Sequence, residues 1–321
     1  VDTKRVRAKQ VMKNSLNAAY GTPYEWLSDS KGIIALTVPA GRGEAPAESR
    51  VPKGPVIQEN SGGEAPARTY QDLLTSPHDE ALFDHYLTSQ IVHVTLKGKV
   101  TKIGKPAIYG RAEPSPSEQM LMVETIHRPY SYLVPVYRFP RLVEVWDFKG
   151  KVVHTATDMP LAEQLPLGFG AVQTGPRSFG WRSDSNATLY WIESQDGGDP
   201  KTEAEVRDRL FVHNAPFTGA PSALIDLPLR YSYVQWGSKD LALVTTREWS
   251  TRKTQTWAVS PGNPKKAPKL VFERLYEDRY SDPGYPMTKM NDNGTSVLLT
   301  GSGGKSIFLS GNGASPEGDR P

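Results

Sequence analysis

The stretch Arg177-Ser-Phe-Gly-Trp181-Arg-Ser-Asp-Ser-Asn186-Ala-Thr-Leu189-Tyr-Trp-Ile192 joins an aromatic anchor, a polar turn and a short apolar strand. The same outline returns at Trp26, ahead of the apolar residues 33–36, and at Trp236, ahead of residues 241–244. Weaker copies occupy residues 114–123 and 290–299. Such a pattern is typical of a tight antiparallel connection. The last three copies follow one another at about 55 residues, a spacing that indicates a repeat array.

Each repeat also contains a second pair of strands. Apolar segments at 91–94 and 143–146 are each followed by a Lys-Gly-Lys turn and a further strand. Segments 210–212, 256–259 and 307–309 hold the same place in the later repeats. Four antiparallel strands per repeat predict an all-β fold, a β-propeller with four-stranded blades. A pair of β-sandwich domains is the alternative that turn signals leave open.

Composition excludes several classes of protein. The 321 residues carry a formal net charge of +3, with 23% charged residues, 27 prolines and 28 glycines. This small, dispersed charge predicts no nucleic-acid partner. There is no cysteine, so disulfides, thiolate nucleophiles and cysteine-ligated zinc are excluded. No run of about 20 apolar residues occurs, so we predict no membrane span and a soluble chain.

The two ends of the sequence lead to further predictions. The first residue is Val1, without an initiator Met, which predicts a processed or truncated N-terminus; in a bacterial source, a periplasmic or secreted location would be expected. The last segment, residues 310–321, follows a strand with a turn and stops. We therefore expect one propeller domain over residues 1–321 with an incomplete last blade.

Two other regions break the strand pattern. Residues 39–67, rich in Gly, Pro, Glu and Ala, predict a surface insertion. Ser76 and Pro77 predict the start of a helix that runs to about Tyr86, with Ala81, Leu82 and Tyr86 available for one face. A second short helix is predicted over residues 161–165.

Several uncommon strings occur together in one order, and they cover roughly residues 80 to 321. They are Glu124-Thr-Ile-His-Arg128-Pro-Tyr130-Ser-Tyr-Leu-Val-Pro135, Arg138-Phe-Pro-Arg141, Asp158-Met-Pro-Leu-Ala-Glu163, Thr174-Gly-Pro-Arg177-Ser178, Thr188-Leu-Tyr-Trp191, Asp196-Gly-Gly-Asp-Pro200 and Arg252-Lys-Thr-Gln-Thr-Trp257. In these strings the chain resembles the glutamyl endopeptidase branch of the prolyl oligopeptidase family of serine peptidases. Residues 1–75 match less clearly.

The resemblance implies an N-terminal propeller followed by a C-terminal α/β-hydrolase domain that carries Ser, Asp and His. No Gly-x-Ser-x-Gly nucleophile elbow occurs in the 321 residues, so the hydrolase domain is absent from this chain and no catalytic residue is expected in it. The implied partners are a peptide substrate, cleaved after glutamate, and the protein's own hydrolase domain. In this interpretation the propeller limits entry to short peptides or unfolded segments.

No metal or cofactor is predicted. The six histidines are dispersed, and His78 and His85 lack the flanking residues of a zinc motif. Asp196-Gly-Gly-Asp199 lacks the ligand spacing of a calcium loop, so we interpret it as a solvated turn.

The candidate binding residues are Arg128, Tyr130, Arg138, Arg141 and Arg177. A guanidinium is a natural partner for a substrate carboxylate, which suits a preference for glutamate. In the alternative interpretation these arginines join strands through carboxylates such as Glu124, and Arg182 does so through Asp184.

A different class of function also fits the sequence, that of a stand-alone propeller that binds or scaffolds a partner and has no catalytic domain. A Gly-x-Ser-x-Gly elbow downstream of residue 321 would favour the peptidase. A stop codon there would favour the binding protein.

Overall fold

A computed structural model describes residues 8–48 and 70–319. The chain divides into two compact units. Unit 1 extends to Gln164 but excludes the turn Ser115–Gln119; that turn and the chain from Leu165 onward form unit 2.

Unit 1 contains one antiparallel sheet of seven strands, paired in chain order. Its strands are β1 (Tyr24–Trp26), β2 (Gly32–Thr37), β3 (Thr88–Thr95), β4 (Val100–Pro114), β5 (Met120–Ile126), β6 (Arg141–Asp147) and β7 (Val152–Met159). Ile91 and Leu121 lie at the centre of its apolar core and are fully buried.

The long strand β4 belongs to two blades. Residues 100–108 contain its pairings with β3, whereas residues 108–114 contain those with β5. A bulge at residues 104–106 interrupts the pairing with β3, beyond which only Ala107 and Ile108 pair with β3, and Gly104 in the bulge has φ +64°. The seven strands therefore correspond to two four-stranded blades, β1–β4 and β4–β7, that share one strand.

Unit 2 contains two separate four-stranded antiparallel sheets, again paired in chain order. The first sheet consists of β8 (Pro176–Trp181), β9 (Thr188–Ser194), β10 (Asp208–Asn214) and β11 (Ser222–Leu227). The second consists of β12 (Arg230–Ser238), β13 (Leu241–Arg247), β14 (Lys253–Val259) and β15 (Lys269–Leu275). Ile192, Leu210 and Leu227 of the first sheet share one apolar cluster with Trp236 and Val244 of the second.

The remaining chain of unit 2 forms short strands in two-stranded pairs. They are β16 (Tyr285–Pro286), β17 (Thr288–Met290), β18 (Ser296–Leu298), β19 (Thr300–Gly301), β20 (Ser306–Ile307), β21 (Leu309–Ser310), β22 (Ala314–Ser315) and β23 (Gly318–Asp319). Short 3-10 helices occur at Val136–Arg138 and Ser302–Gly304.

The structure confirms the repeat read from the sequence. Trp181 and Trp236 lie at or near the ends of β8 and β12, each the first strand of its sheet, and Met290 ends β17. The predicted second-half segments 210–212 and 256–259 lie in β10 and β14, the third strands. Pairing in chain order is the meander of a propeller blade and differs from the Greek-key order of the β-sandwich alternative. The predicted all-β propeller class is therefore confirmed, with four-stranded blades in the two units and only two-stranded pairs after residue 284.

Tryptophans at equivalent repeat positions differ in burial. Trp181, Trp191 and Trp236 are buried, and Trp257 packs partly buried against the unit 2 core. Trp26, by contrast, is 58% exposed. Trp26 lies on β1, a three-residue strand at the edge of its sheet.

The predicted first helix is confirmed as α1 (Pro77–Leu87), in which the Ser76 side chain accepts a hydrogen bond from the Asp79 amide. Its apolar contacts differ from the prediction. Phe83 and Leu87, four residues apart and therefore on one face, pack against a cluster around Phe139, whereas Tyr86 is 47% exposed.

The predicted second helix over residues 161–165 is absent, since these residues form an irregular segment. Pro166 disfavours a helical conformation for the residue before it. The segment is instead held by tertiary bonds: the Ala162 amide donates to the Arg138 carbonyl oxygen at 3.0 Å, and Ser131 donates to the Glu163 carboxylate.

The predicted surface insertion at residues 39–67 is described only in part, because residues 49–67 lie outside the described ranges. Residues 39–48 contain no helix or strand. Over the described ranges, no helix is long and apolar enough to cross a membrane.

A close backbone contact in unit 1 predicts an unequal effect of two glycine substitutions. Gly150 has φ +83°, and a Cβ there would lie 2.4 Å from the Gly104 amide nitrogen; Gly41 has φ +80° with no atom within 4 Å. Both alanine variants carry the backbone strain of positive φ, about 1–2 kcal/mol. Gly150→Ala adds the clash, so its free energy of unfolding should fall by about 1–3 kcal/mol more than that of Gly41→Ala. Urea unfolding followed by circular dichroism measures both, and equal losses would contradict the packing argument.

Candidate functional site

Arg128 and Tyr130 lie in the connection between β5 and β6 and contact helix α1. The Arg128 guanidinium binds Asp84 at 2.7 Å, pairs with Glu80 and lies 4.5 Å over the Tyr130 ring. The Tyr130 hydroxyl donates to Asp84. Burial, followed by this hydrogen bond to a carboxylate, raises the pKa of Tyr130. Both candidate residues are thus already engaged with the helix.

Arg141, the first residue of β6, is paired with Glu124 on the adjacent strand β5. Both side chains are less than one fifth exposed. A second bond runs from Arg141 Nη2 to the Val136 carbonyl oxygen at 3.1 Å. Arg141 therefore matches the alternative interpretation, in which an arginine joins neighbouring strands. Arg182 does not, because its partner Asp184, at 2.8 Å, lies in the same turn between β8 and β9.

Arg138 differs from the other candidates. Its residue is only 7% exposed, at the end of the 3-10 helix, and its guanidinium lies 5.3 Å from the centre of the Tyr70 ring. Among the described residues no carboxylate pairs with it, and its Nε is buried without an acceptor. The Tyr70 hydroxyl is likewise buried without a partner among these residues. A buried cation without a counter-charge is costly, so this position favours an incoming acceptor.

Arg177, on β8 in unit 2, binds Asp208 at 2.6 Å. Asp208 belongs to a larger buried network centred on Arg230, the first residue of β12. Arg230 binds Asp196 at 2.7 Å and Asp208 at 3.1 Å, and it also donates to the carbonyl oxygens of Gly170 and Arg207 at 2.9 Å each. Both carboxylates are fully buried.

This network corrects the interpretation of Asp196-Gly-Gly-Asp199 as a solvated turn. The Asp196 carboxylate accepts hydrogen bonds from Arg207 at 2.9 Å and from the Gly198 amide at 3.0 Å, in addition to that from Arg230. Sequence reasoning missed Arg207 and Arg230 because nothing in their local pattern shows that they pair with buried carboxylates. The sequence gives one indication of this network: Asp196 and Asp208 lie next to strand ends, where a carboxylate can reach the neighbouring sheet.

The five candidates do not form one cluster. Arg128, Tyr130, Arg138 and Arg141 belong to unit 1, whereas Arg177 belongs to unit 2. Within the ranges that the structure describes, no group of three or more His, Asp or Glu side chains is placed to hold a metal ion.

Comparison with known proteins adds two relatives. The chain is 43% identical over 312 residues to a protein named probable glutamyl endopeptidase, chloroplastic, from Oryza sativa subsp. japonica, and the match covers 95% of this chain and 33% of that protein. The protein of the same name from Arabidopsis thaliana is 41% identical over 313 residues, covering 95% of this chain and 32% of its own length. These matches confirm the resemblance to glutamyl endopeptidases predicted from the motifs. The chain spans about one third of the length of both relatives.

No family profile matches the chain. Among solved structures, a candidate dipeptidyl aminopeptidase IV from Bacteroides ovatus is 8% identical with a TM-score of 0.45, and the match covers 88% of this chain and 37% of that chain.

The buried network predicts that Arg230 stabilises unit 2 strongly. Arg230→Ala leaves Asp196 paired with Arg207 and Asp208 with Arg177, but it removes the four hydrogen bonds of a buried side chain, so the free energy of unfolding should fall by about 3–5 kcal/mol. Arg209→Ala is the matched control, because Arg209 pairs with Asp226 on the surface, where both side chains are at least one third exposed; its loss should be about 0–1 kcal/mol. Urea unfolding followed by circular dichroism measures both losses. Similar losses in the two variants would show that the network does not stabilise the fold.

Proposed function

We propose that residues 1–321 form the propeller portion of a serine peptidase that cleaves peptides after glutamate, and that its Ser, Asp and His lie outside this chain. Three observations support this proposal. Both relatives are named probable glutamyl endopeptidases, the chain spans about one third of their length, and the 321 residues contain no nucleophile elbow.

The proposed role of the propeller is to control access to the catalytic domain. Four-stranded blades are rigid, because each sheet is paired strand by strand and shares its apolar core with a neighbour, as β8–β11 and β12–β15 do. A rigid entrance admits short or unfolded peptides and excludes folded proteins.

Arg138 is the residue in the described structure that best fits recognition of a substrate glutamate. Arg128, Arg141 and Arg177 are each paired with a carboxylate, so a substrate would have to displace an existing partner. Arg138 is buried and has no such partner among the described residues. A charge-assisted bond to a substrate carboxylate would offset the cost of burying its charge.

The absence of an elbow predicts the outcome of active-site labelling. The 321-residue chain should not react with a fluorophosphonate probe, whereas the polypeptide extended through the downstream reading frame should be labelled on one serine outside residues 1–321. Gel fluorescence after incubation with the probe measures this. Labelling of a serine within residues 1–321, or a stop codon directly after Pro321, would contradict the proposal.

Substitution of Arg138 should separate recognition from stability. In the extended enzyme, Arg138→Met should lower kcat/KM for a Glu peptide by about tenfold or more, with little change for the matching Gln peptide. Its melting temperature should stay the same or rise, because the variant removes a buried charge that has no counter-charge.

Arg141→Met is the matched control for this experiment. It leaves Glu124 without its partner, so the melting temperature should fall and the two peptides should be affected alike. Equal losses on the Glu and Gln peptides in Arg138→Met would rule out recognition by Arg138.

A further inference from the structure

Unit 2 contains a cavity of about 540 Å³ beside the start of β12 and the turn between β13 and β14. Its lining includes Phe169 and Trp249, which stack with ring centroids 4.0 Å apart, together with Tyr276. Phe169 is 63% exposed and Trp249 is 48% exposed, although both are large apolar side chains. A cavity of this size, with an apolar wall open to solvent, suits a small ligand or a short peptide.

The aromatic wall is held in place before any ligand arrives. Arg252 lies 4.0 Å from the centre of the Trp249 ring, and its guanidinium is anchored by Glu277 at 3.1 Å. Phe169 and Arg252 are both too close to the ring to share one face, so they cover opposite faces of Trp249. A ligand therefore meets the free side of Phe169 and the edge of Trp249. This arrangement favours an apolar side chain and lowers the entropy cost of binding.

Arg247, the last residue of β13, supplies a free positive charge to the same cavity. Its guanidinium lies 4.7 Å over the Tyr276 ring, and no described carboxylate pairs with it. The stacking fixes the guanidinium plane but leaves its N–H donors available. Such a group is suited to bind a carboxylate with two parallel hydrogen bonds.

The charge around the cavity also favours an anion. Arg207 and Arg230 line it and, together with Arg177, pair with two carboxylates of the described chain, those of Asp196 and Asp208. Three guanidinium groups against two carboxylates leave one positive charge in the buried network.

Two further cations and one carboxylate are the other charged side chains that line the cavity. Lys201 and Arg247 add positive charge, and Glu248 is the one carboxylate among the lining residues. The surroundings are thus positive overall, and the low dielectric of the buried network strengthens their field.

We propose that this cavity is a peptide-binding site, which binds an extended segment with an apolar side chain next to an acidic one. The apolar side chain packs against Phe169, and the acidic side chain pairs with Arg247. This site goes beyond the proposed recognition of glutamate by Arg138, since it uses other residues and lies in the other unit. It binds peptide whether or not a catalytic domain is attached.

Isothermal titration calorimetry of the 321-residue chain tests the site with end-blocked tetrapeptides, acetyl-Ala-Phe-Glu-Ala-amide and its Gln counterpart. Blocked ends make the Glu side chain the one carboxylate of the probe. We expect the Glu peptide to bind at least fivefold more tightly than the Gln peptide. Arg247→Met should abolish that difference, and Phe169→Ala should weaken the binding of both peptides by a similar factor. Acetyl-Glu-amide, which carries the same single carboxylate but no apolar side chain, should bind at least fivefold more weakly than the Glu peptide.

A control variant distinguishes this site from other arginines. Arg209→Met changes a surface ion pair elsewhere in unit 2, so it should bind the Glu peptide as the unchanged chain does. Arg247 and Phe169 are exposed, so their variants should keep the circular dichroism spectrum of the parent. Equal affinity for the Glu and Gln peptides, undiminished binding in Arg247→Met, or equally tight binding of acetyl-Glu-amide would each overturn the proposal.

Discussion

The buried pairing of Arg230 with Asp196 and Asp208 is the interaction on which unit 2 depends. Arg230 begins the sheet β12–β15, while both carboxylates belong to the preceding sheet or the loop beside it. Four of its five N–H donors have acceptors, a degree of satisfaction that a charge needs in a dry interior. The apolar contacts that the two sheets share would by themselves allow one sheet to slide against the other. Because hydrogen bonds are directional, the network fixes the position of one sheet relative to the other.

The repeat was predictable because residues close together in sequence determine the turns and strands of a blade. A polar turn and an alternating strand specify each hairpin within about 20 residues, and the structure places Trp181 and Trp236 in the first strands of their sheets. Helix α1 was predictable for the same reason, since Ser76 and Pro77 act on the adjacent backbone. The blade boundaries were less visible: nothing local shows that β4 serves two blades, because its double role depends on which strands lie beside it.

The site was less predictable than the fold, for a physical reason. Asp196 and Arg230 are 34 residues apart. The local sequence around an aspartate after a strand is the same whether its carboxylate is solvated by water or bound by an arginine. Motif resemblance drew attention to the arginines, yet it could not rank them. Ranking requires knowing which guanidinium lacks a counter-charge, and that depends on the tertiary partners Glu80, Asp84, Glu124 and Asp208.

Arg138 and Arg247 illustrate two ways of leaving an arginine available to an anion. Arg138 is buried without a described partner, so its charge is poorly solvated and a carboxylate that reaches it gains much of the full interaction of a dry ion pair. Arg247 is exposed and stacked on Tyr276, so water already solvates part of its charge and the gain from a carboxylate is smaller. The first arrangement suits discrimination between glutamate and neutral residues. The second suits weak, reversible capture, in which the apolar contact with Phe169 has to supply much of the affinity.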